Sequence, residues 1–353
     1  MKENFRAAAI LTQNHIHQFD HIGVLSAYLN IPLIITEEDC LDICKKYYPM
    51  ITPLSISSEQ IDLSTLSESL DYLFSSSKYF ERDLLSNLSL LGLKKIELPY
   101  LPHGNGEKAY SEGYVHPKIQ SKLVLVYGKQ MQEMHEARGT IEKDSQVTFL
   151  GNFRYHFYLE NRAFYDAIVE EEIFSYLDPS KETIFYAPTW NDGENNGSFE
   201  LCEKLIEELH PHFNLIIKLH PLLLKQISGK IFQLIWKYRA IQTVRILENY
   251  PLIYPLLSRS DIYIGEFSSV GYDFLTFNRP LYFIGNEHHK NRLHGCGITI
   301  PESENYASFI LRTKEQNKND YAKEREALYA YAFGHENRLE EIKGLLRDKK
   351  SLI

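Results

Sequence analysis

The tightest constraint on the fold is a stretch at residues 256–284, LLSRSDIYIGEFSSVGYDFLTFNRPLYFI. Ile262, Tyr263 and Ile264 form a short apolar run that reads as a buried strand. Gly265, Glu266 and Phe267 make a tight exit. Ser268 and Ser269 then fall where a helix N-cap is expected, and residues 270–277 supply about two helical turns. Asn278, Arg279 and Pro280 end the helix, and residues 281–284 begin another strand. A strand–helix–strand unit this compact belongs in a parallel sheet with its helix packed on one face. The helix start also carries free N–H groups and a partial positive charge, which suit a phosphate. On this stretch alone two readings stand: the serines cap the helix, or they hold an anion.

The same alternation runs along the chain. Residues 7–12, 31–36, 70–74, 96–100, 123–127 and 147–150 read as strands, with helices at 39–47 and 129–137 among them. Residues 15–21 form a polar turn with His15, His17, Asp20 and His21. After an aromatic helical segment, a second series of strands follows at 183–187, 215–219, 244–247, 262–264 and 281–284. Cys202, Leu205, Ile206 and Leu209 recur at the spacing of one helical face. Helices at 321–331 and 336–346 close the chain. This predicts two α/β halves: an N-terminal domain at 1–151, a connection at 152–180 and a C-terminal domain at 181–353. Such folds take ligands in the crevice at the carboxyl ends of their strands.

Composition bounds the function. The chain has 353 residues and a net charge of −9, which argues against nonspecific nucleic-acid binding. Its 24 tyrosines fit a ligand cleft and partly buried helix faces equally well. Cys40, Cys44, Cys202 and Cys296 have no metal-ligand spacing and read as reduced thiols. No signal peptide and no membrane-spanning run is apparent, so the expected location is cytoplasmic, with peripheral contact on the inner face of the membrane left open. GxGxxG, GxxxxGK[ST] and HExxH are all absent. The set His15, His17, His21 lacks the paired carboxylate or Cys that would favour a metal site, and the set His288, His289, His294 near Cys296 is read the same way. No metal and no cofactor is expected.

The chemically distinctive residues follow strands. His103 and Gly104 come after 96–100, and a histidine there suits proton transfer near neutral pH. The alternative is an ordinary glycine-rich turn. Trp190 follows 183–187 and either stacks on a base or anchors its loop. Lys218 lies near the end of 215–219, and His220 follows it. If the strand continues to His220, the two point to one face. Asp273 falls in the first turn or so of the helix after Ser269, where it either complements the dipole or binds a ligand hydroxyl.

Together PHGNGEK, YAPTW, KLHP and SDIYIGEFSSVGYD, in this order, resemble the CDP-glycerol glycerophosphotransferase family. These are teichoic-acid-type polyol-phosphate transferases. The resemblance implies a GT-B fold, with two Rossmann-like parallel-sheet domains facing a central cleft: an acceptor-side N-terminal domain and a nucleotide-binding C-terminal domain. It implies transfer of a polyol phosphate from a CDP-activated donor to a hydroxyl on an envelope glycan or lipid-linked saccharide, releasing CMP. It also implies His103 as the base and His220 as the second catalytic residue, which together with Lys218 would neutralise the pyrophosphate. Lys218, Ser268 and Ser269 would hold the pyrophosphate, and Asp273 a ribose or polyol hydroxyl. Gly104 and Trp190 would complete the donor site. Two other readings are a GT-B glycosyltransferase using a nucleotide sugar and a catalytically idle nucleotide-binding protein. The chain departs from the family at Glu266-Phe267, where Asp-Tyr is common, and in the segment holding His288 and His289. A weak basic cluster at 347–350 bears on membrane contact.

Overall fold

The computed structural model describes residues 6–12, 15–107, 119, 121–189, 198–266, 268–284, 291–334 and 338–347. Trp190, Phe267, His288, His289 and residues 348–350 lie outside the described residues. The chain divides into two compact units. The first comprises Met1–Asn105, Glu112–Phe157 and Tyr331–Ile353; the second comprises Gly106–Ser111 and Tyr158–Ala330.

The first unit is built on parallel strands β1 (Ala7–Leu11), β2 (Leu33–Ile35), β3 (Pro53–Ser55) and β4 (Tyr72–Phe74), in the order β3-β2-β1-β4. Strands β5 (Leu123–Val126) and β6 (Gln146–Phe149) pair in parallel beside them. Residues 96–100, expected as a strand, instead make isolated parallel bridges. Glu97 pairs with Tyr72, and Tyr100 pairs with Ser75 and Val124, so this segment links the two sets. β1, β2, β4 and β5 are buried along their whole length, which explains their uninterrupted apolar sequences. β3 is half-buried to exposed and carries Pro53, as an edge strand allows.

The second unit holds a six-stranded parallel sheet in the order β12-β11-β10-β7-β8-β9. These are β7 (Thr183–Tyr186), β8 (Asn214–Lys218), β9 (Val244–Leu247), β10 (Ile262–Gly265), β11 (Leu281–Phe283) and β12 (Ile298–Thr299). From β7 the chain winds outward through β8 and β9, then returns to β10 on the other side and continues to β12. The order therefore reverses between β7 and β10, and this is where α/β sheets bind ligands. The helix Cys202–Leu209 buries Cys202, Leu205, Ile206 and Leu209 completely against the sheet, as their spacing predicts. Arg325 is buried and donates to the carbonyl oxygens of Asn317 and Lys318, at the end of the helix Tyr306–Asp320. A cation there complements the helix dipole.

The structure corrects the expected domain limits at the tail. The helix Leu339–Arg347 buries Leu339, Ile342 and Leu346, but it packs in the first unit beside the helix Val24–Leu29. The helix Ala322–Phe333 crosses the boundary, and Phe333 packs edge-on to Tyr127 in the first unit. The 1–151 domain thus gains residues 331–353, which the sequence assigns to the C-terminal domain. All four cysteines are buried thiols, and burial pushes Cys44 up to about 12. Among the described residues, no helix is long and apolar enough to cross a membrane.

Candidate functional site

Three adjacent strands organise the second unit's site. β8 and β10 each pair with β7, so their ends lie about 10 Å apart across it. β8 ends at Lys218, which is half-buried. The strand stops there and does not extend to His220, so the expected strand parity does not set their directions. His220 is the N-cap of the helix Pro221–Tyr238, in extended conformation at φ −72° and ψ 136°. Pro221 suits the first helical position because no N–H is needed there. The Leu222 N–H donates to His220 Nδ1 at 3.1 Å. Accepting that bond leaves the neutral ring's proton on Nε2, which makes His220 a hydrogen-bond donor through Nε2. That arrangement fits a residue that grips an anion; a residue that removes a proton would need Nε2 unprotonated.

β10 delivers Ser268 and Ser269, both half-buried. Ser268 is the N-cap of the helix Ser269–Phe274, and its hydroxyl accepts from Val270 N–H at 3.3 Å. Beneath this start lies Tyr263, wholly buried. A Cβ on Gly265 would sit 2.1 Å from the Tyr263 hydroxyl, so only glycine lets the strand end pass over this ring. Gly271 faces the same constraint from Leu293 Cδ2, at 2.5 Å. Burial, with Glu266 and Asp273 nearby, pushes the Tyr263 phenol far above its usual range and keeps it neutral.

Glu266, where the resemblance leads one to expect Asp, is a buried group that sequence reasoning did not assign. Its carboxylate accepts from Thr189 Oγ1 at 2.5 Å, joining the exits of β7 and β10 where the sheet order reverses. Gly106 packs against the Ser269 backbone, and Glu107 accepts from Arg292 N–H at 2.9 Å.

Asp273 differs from expectation. It lies in the last turn of its helix, is 2% exposed, and accepts from the Tyr254 hydroxyl at 3.1 Å. The helix is shorter than the apolar pattern suggests and tightens into a 3-10 turn at Leu275–Phe277, which places Asp273 inside the core.

His103 and Gly104 belong to the first unit, with His103 exposed and Gly104 half-buried. Asn105 anchors their loop by donating from Nδ2 to the Ala332 carbonyl at 2.9 Å. The polar turn after β1 is no plain surface loop. It winds as a 3-10 turn and then a π-helical turn, and it buries Asp20 and His21. Arg154 donates from Nε and Nη2 to Asp20 Oδ2 at 2.8 and 2.6 Å, and its side chain is 4% exposed. His21 Nδ1 lies 2.7 Å from the Tyr127 hydroxyl. Burial holds the His21 ring well below the usual imidazole range, reinforced by the charges of Arg154, His103 and His17. Asp20, His21, Tyr127 and Arg154 come from segments that follow strands of this unit, and His103 follows the isolated bridges at Tyr100. The sequence flagged His103 but not Arg154, because nothing local marks a partner 134 residues from Asp20. Among the described residues, no group of three His, Cys, Asp or Glu is placed to hold a metal.

Residues 131–326 match the model of the CDP-Glycerol:Poly(glycerophosphate) glycerophosphotransferase family, which is more than half of the 353-residue chain. The chain belongs to this family. The matched span includes Trp190, Lys218, His220, Ser268, Ser269 and Asp273 but not His103. The teichoic acid glycerol-phosphate primase of Bacillus subtilis (strain 168) is 34% identical over 106 residues. That match covers 29% of this chain and a quarter of the relative's length. A structure of the wall teichoic acid polymerase TagF superposes with a TM-score of 0.67 at 13% identity, covering 100% of this chain and 90% of that one. The UDP-GlcNAc 2-epimerase of Neisseria meningitidis superposes with a TM-score of 0.57 at 12% identity, over 96% and 98% of the two chains. These likenesses show the fold: the family member has the α/β, parallel-sheet architecture of the GT-B type.

Proposed function

We propose that this family member transfers a glycerol-phosphate or similar polyol-phosphate group from a CDP-activated donor to a hydroxyl on an envelope glycan or lipid-linked saccharide, releasing CMP. One observation carries the reading: two helix starts, capped by His220 and by Ser268, flank β7 at the reversal of the parallel sheet. Their N–H groups and dipoles suit the two phosphates of a nucleoside diphosphate. In this reading Lys218 and the Nε2–H of His220 neutralise the pyrophosphate, with the Ser268 and Ser269 hydroxyls on its other side. Trp190 and Gly104 complete the donor site. Asp273 contributes by bracing the helix through Tyr254, a change from the hydroxyl-binding role the resemblance implies.

His103 removes the proton from the acceptor hydroxyl. That oxygen then bonds to the phosphorus carrying the polyol, and the bond from this phosphorus to the CMP oxygen breaks. Positioning and charge neutralisation supply most of the barrier reduction in such transfers. The acceptor-side and donor-side division of the two units belongs to the same proposal.

The test is to incubate the purified protein with CDP-glycerol, CDP-ribitol and UDP-sugars, with and without membrane extract, and to follow CMP and UDP. CMP release is expected. UDP release without CMP would favour the glycosyltransferase reading, and tight nucleotide binding without any release would favour an idle protein. His103→Ala should lower turnover about 10²- to 10⁴-fold while donor affinity persists.

A further inference from the structure

The loop that carries His103 is held at both ends by groups distant in the chain. On its leading side, Tyr100 is bonded to β5 through its backbone. Its N–H donates to the Leu123 carbonyl at 2.9 Å, and its carbonyl accepts from Leu125 N–H at 3.0 Å. The side chain is fixed as well. The Thr140 hydroxyl donates to the His135 carbonyl at 3.1 Å and accepts from His135 Nδ1 at 2.8 Å. The neutral ring then presents Nε2 as an acceptor to the Tyr100 hydroxyl, 3.3 Å away. Leu101 and Pro102 are buried, His103 is exposed, and Asn105 is buried again at 1% exposure.

On the trailing side, Asn105 Nδ2 donates to the Ala332 carbonyl, 227 positions away. Ala332 is wholly buried in the last turn of the helix Ala322–Phe333, where carbonyls have no partner further along the helix. A Cβ on Gly128 would sit 2.7 Å from the same oxygen, so the chain leaving β5 also packs against it. The next residue, Phe333, meets Tyr127 edge-on with ring centroids 5.7 Å apart, and Tyr127 in turn meets His21. Ala332 and Phe333 therefore hold the His103 loop and the Tyr127–His21 pair in one frame, all within the first unit.

We propose that Asn105 is a positioning residue for His103, and that the end of the helix Ala322–Phe333 is the anchor it uses. The proposal rests on the reading of His103 as the base and deepens it. Four residues separate Tyr100 from Asn105, too few for the loop to wander while both ends hold. Releasing one end spreads His103 over many positions, and a displacement of about 1 Å is enough to cost 10²-fold in rate. The groups read as gripping the donor, Lys218, His220, Ser268 and Ser269, belong to the second unit, so the loss falls on turnover and spares donor binding.

The test compares Asn105→Asp, Asn105→Ala, Gly128→Ala and Leu346→Ala with the wild type, by CMP release from CDP-glycerol and by amide hydrogen exchange. Asp keeps the shape of Asn105 but has no N–H to donate, and Ala removes the donor without adding charge. Both should lower kcat about 10- to 100-fold with the KM for CDP-glycerol within about twofold, and speed exchange at residues 101–105 about tenfold while β5 stays protected. Gly128→Ala pushes on the Ala332 carbonyl from the other side and should give the same split between kcat and KM. Leu346→Ala opens a cavity in the same unit, away from the anchor, and should lower the melting temperature while leaving kcat unchanged. A loss of kcat in Asn105→Asp alone would assign the effect to the new charge and overturn the proposal. Loss of kcat in step with melting temperature across all four variants would reduce Asn105 to a structural role. Unchanged exchange at residues 101–105 in Asn105→Ala would overturn the proposal whatever the activity. Absence of CMP release from the wild type would refute the transfer reading, and with it the role of His103 on which the proposal rests, even if exchange confirmed the anchor.

Discussion

At its strand ends the first unit buries charge, holding Arg154 against Asp20 and His21 against Tyr127 in nearly closed surroundings. The second unit also buries Glu266 against Thr189, but beside its helix starts it keeps Lys218, His220, Ser268 and Ser269 half-buried. The sheets are built alike, yet the first unit invests in fixed ionic and titratable pairs and the second in backbone dipoles. A buried ion pair resists losing one partner, because the other is then stranded out of water. A capped helix start loses little when its cap is trimmed, since water satisfies the freed N–H groups. The first arrangement fits a rigid frame around His103. The second fits an anion that must arrive and leave.

The largest expected effect breaks the first side of this contrast. Arg154→Ala strands Asp20 and should cost about 3–5 kcal/mol in urea unfolding. An effect below about 1 kcal/mol would show that the pair is hydrated and that the contrast fails. Next comes Gly265→Ala, which drives a methyl into Tyr263 and should cost about 1–3 kcal/mol. Because the nearest atom is the hydroxyl, adding Tyr263→Phe should recover part of that loss.

The pH dependence sharpens the comparison. Folded His21 binds its proton well below the ordinary 6.5 of the unfolded ring. Below about pH 6.5 the unfolded chain therefore holds more protons. Stability is complete above that pH and is lost as pH falls toward the folded value, at up to about 1.4 kcal/mol per pH unit. Unfolding at a series of pH values should show this slope in the wild type and a shallower one in His21→Gln. The smallest effect should come from the second unit. Ser268→Ala removes a cap and should cost about 1 kcal/mol, whereas Ser268→Asn keeps it. If Ser268 grips the donor, isothermal titration with CDP-glycerol should show a larger affinity loss for Ala than the cap alone explains.

Apart from residues 96–100, which make only isolated bridges, the expected strands were legible to within one or two residues, because strands buried on both faces are continuous apolar runs, as at residues 123–126 and 262–264. β3 escaped notice because an edge strand with Pro53 and exposed neighbours has no such run. β12 is only two residues long. The family was legible from four motifs whose residue types suit phosphate chemistry, and the fold followed from the alternation of strands and helices.

Sequence by itself determined the parallel α/β organisation, the family, and the placing of Lys218, His220, Ser268 and Ser269 after strands. These depend on local periodicity and on residues close together in the chain. Only the tertiary structure decided that Asp273 turns into the core, that the tail packs with the first unit, and that Arg154 meets Asp20. It also decided that Glu266 is held by Thr189. Each of these depends on which distant segments share a low-dielectric interior, and burial there decides whether a charged group must find a partner or stays available to a ligand.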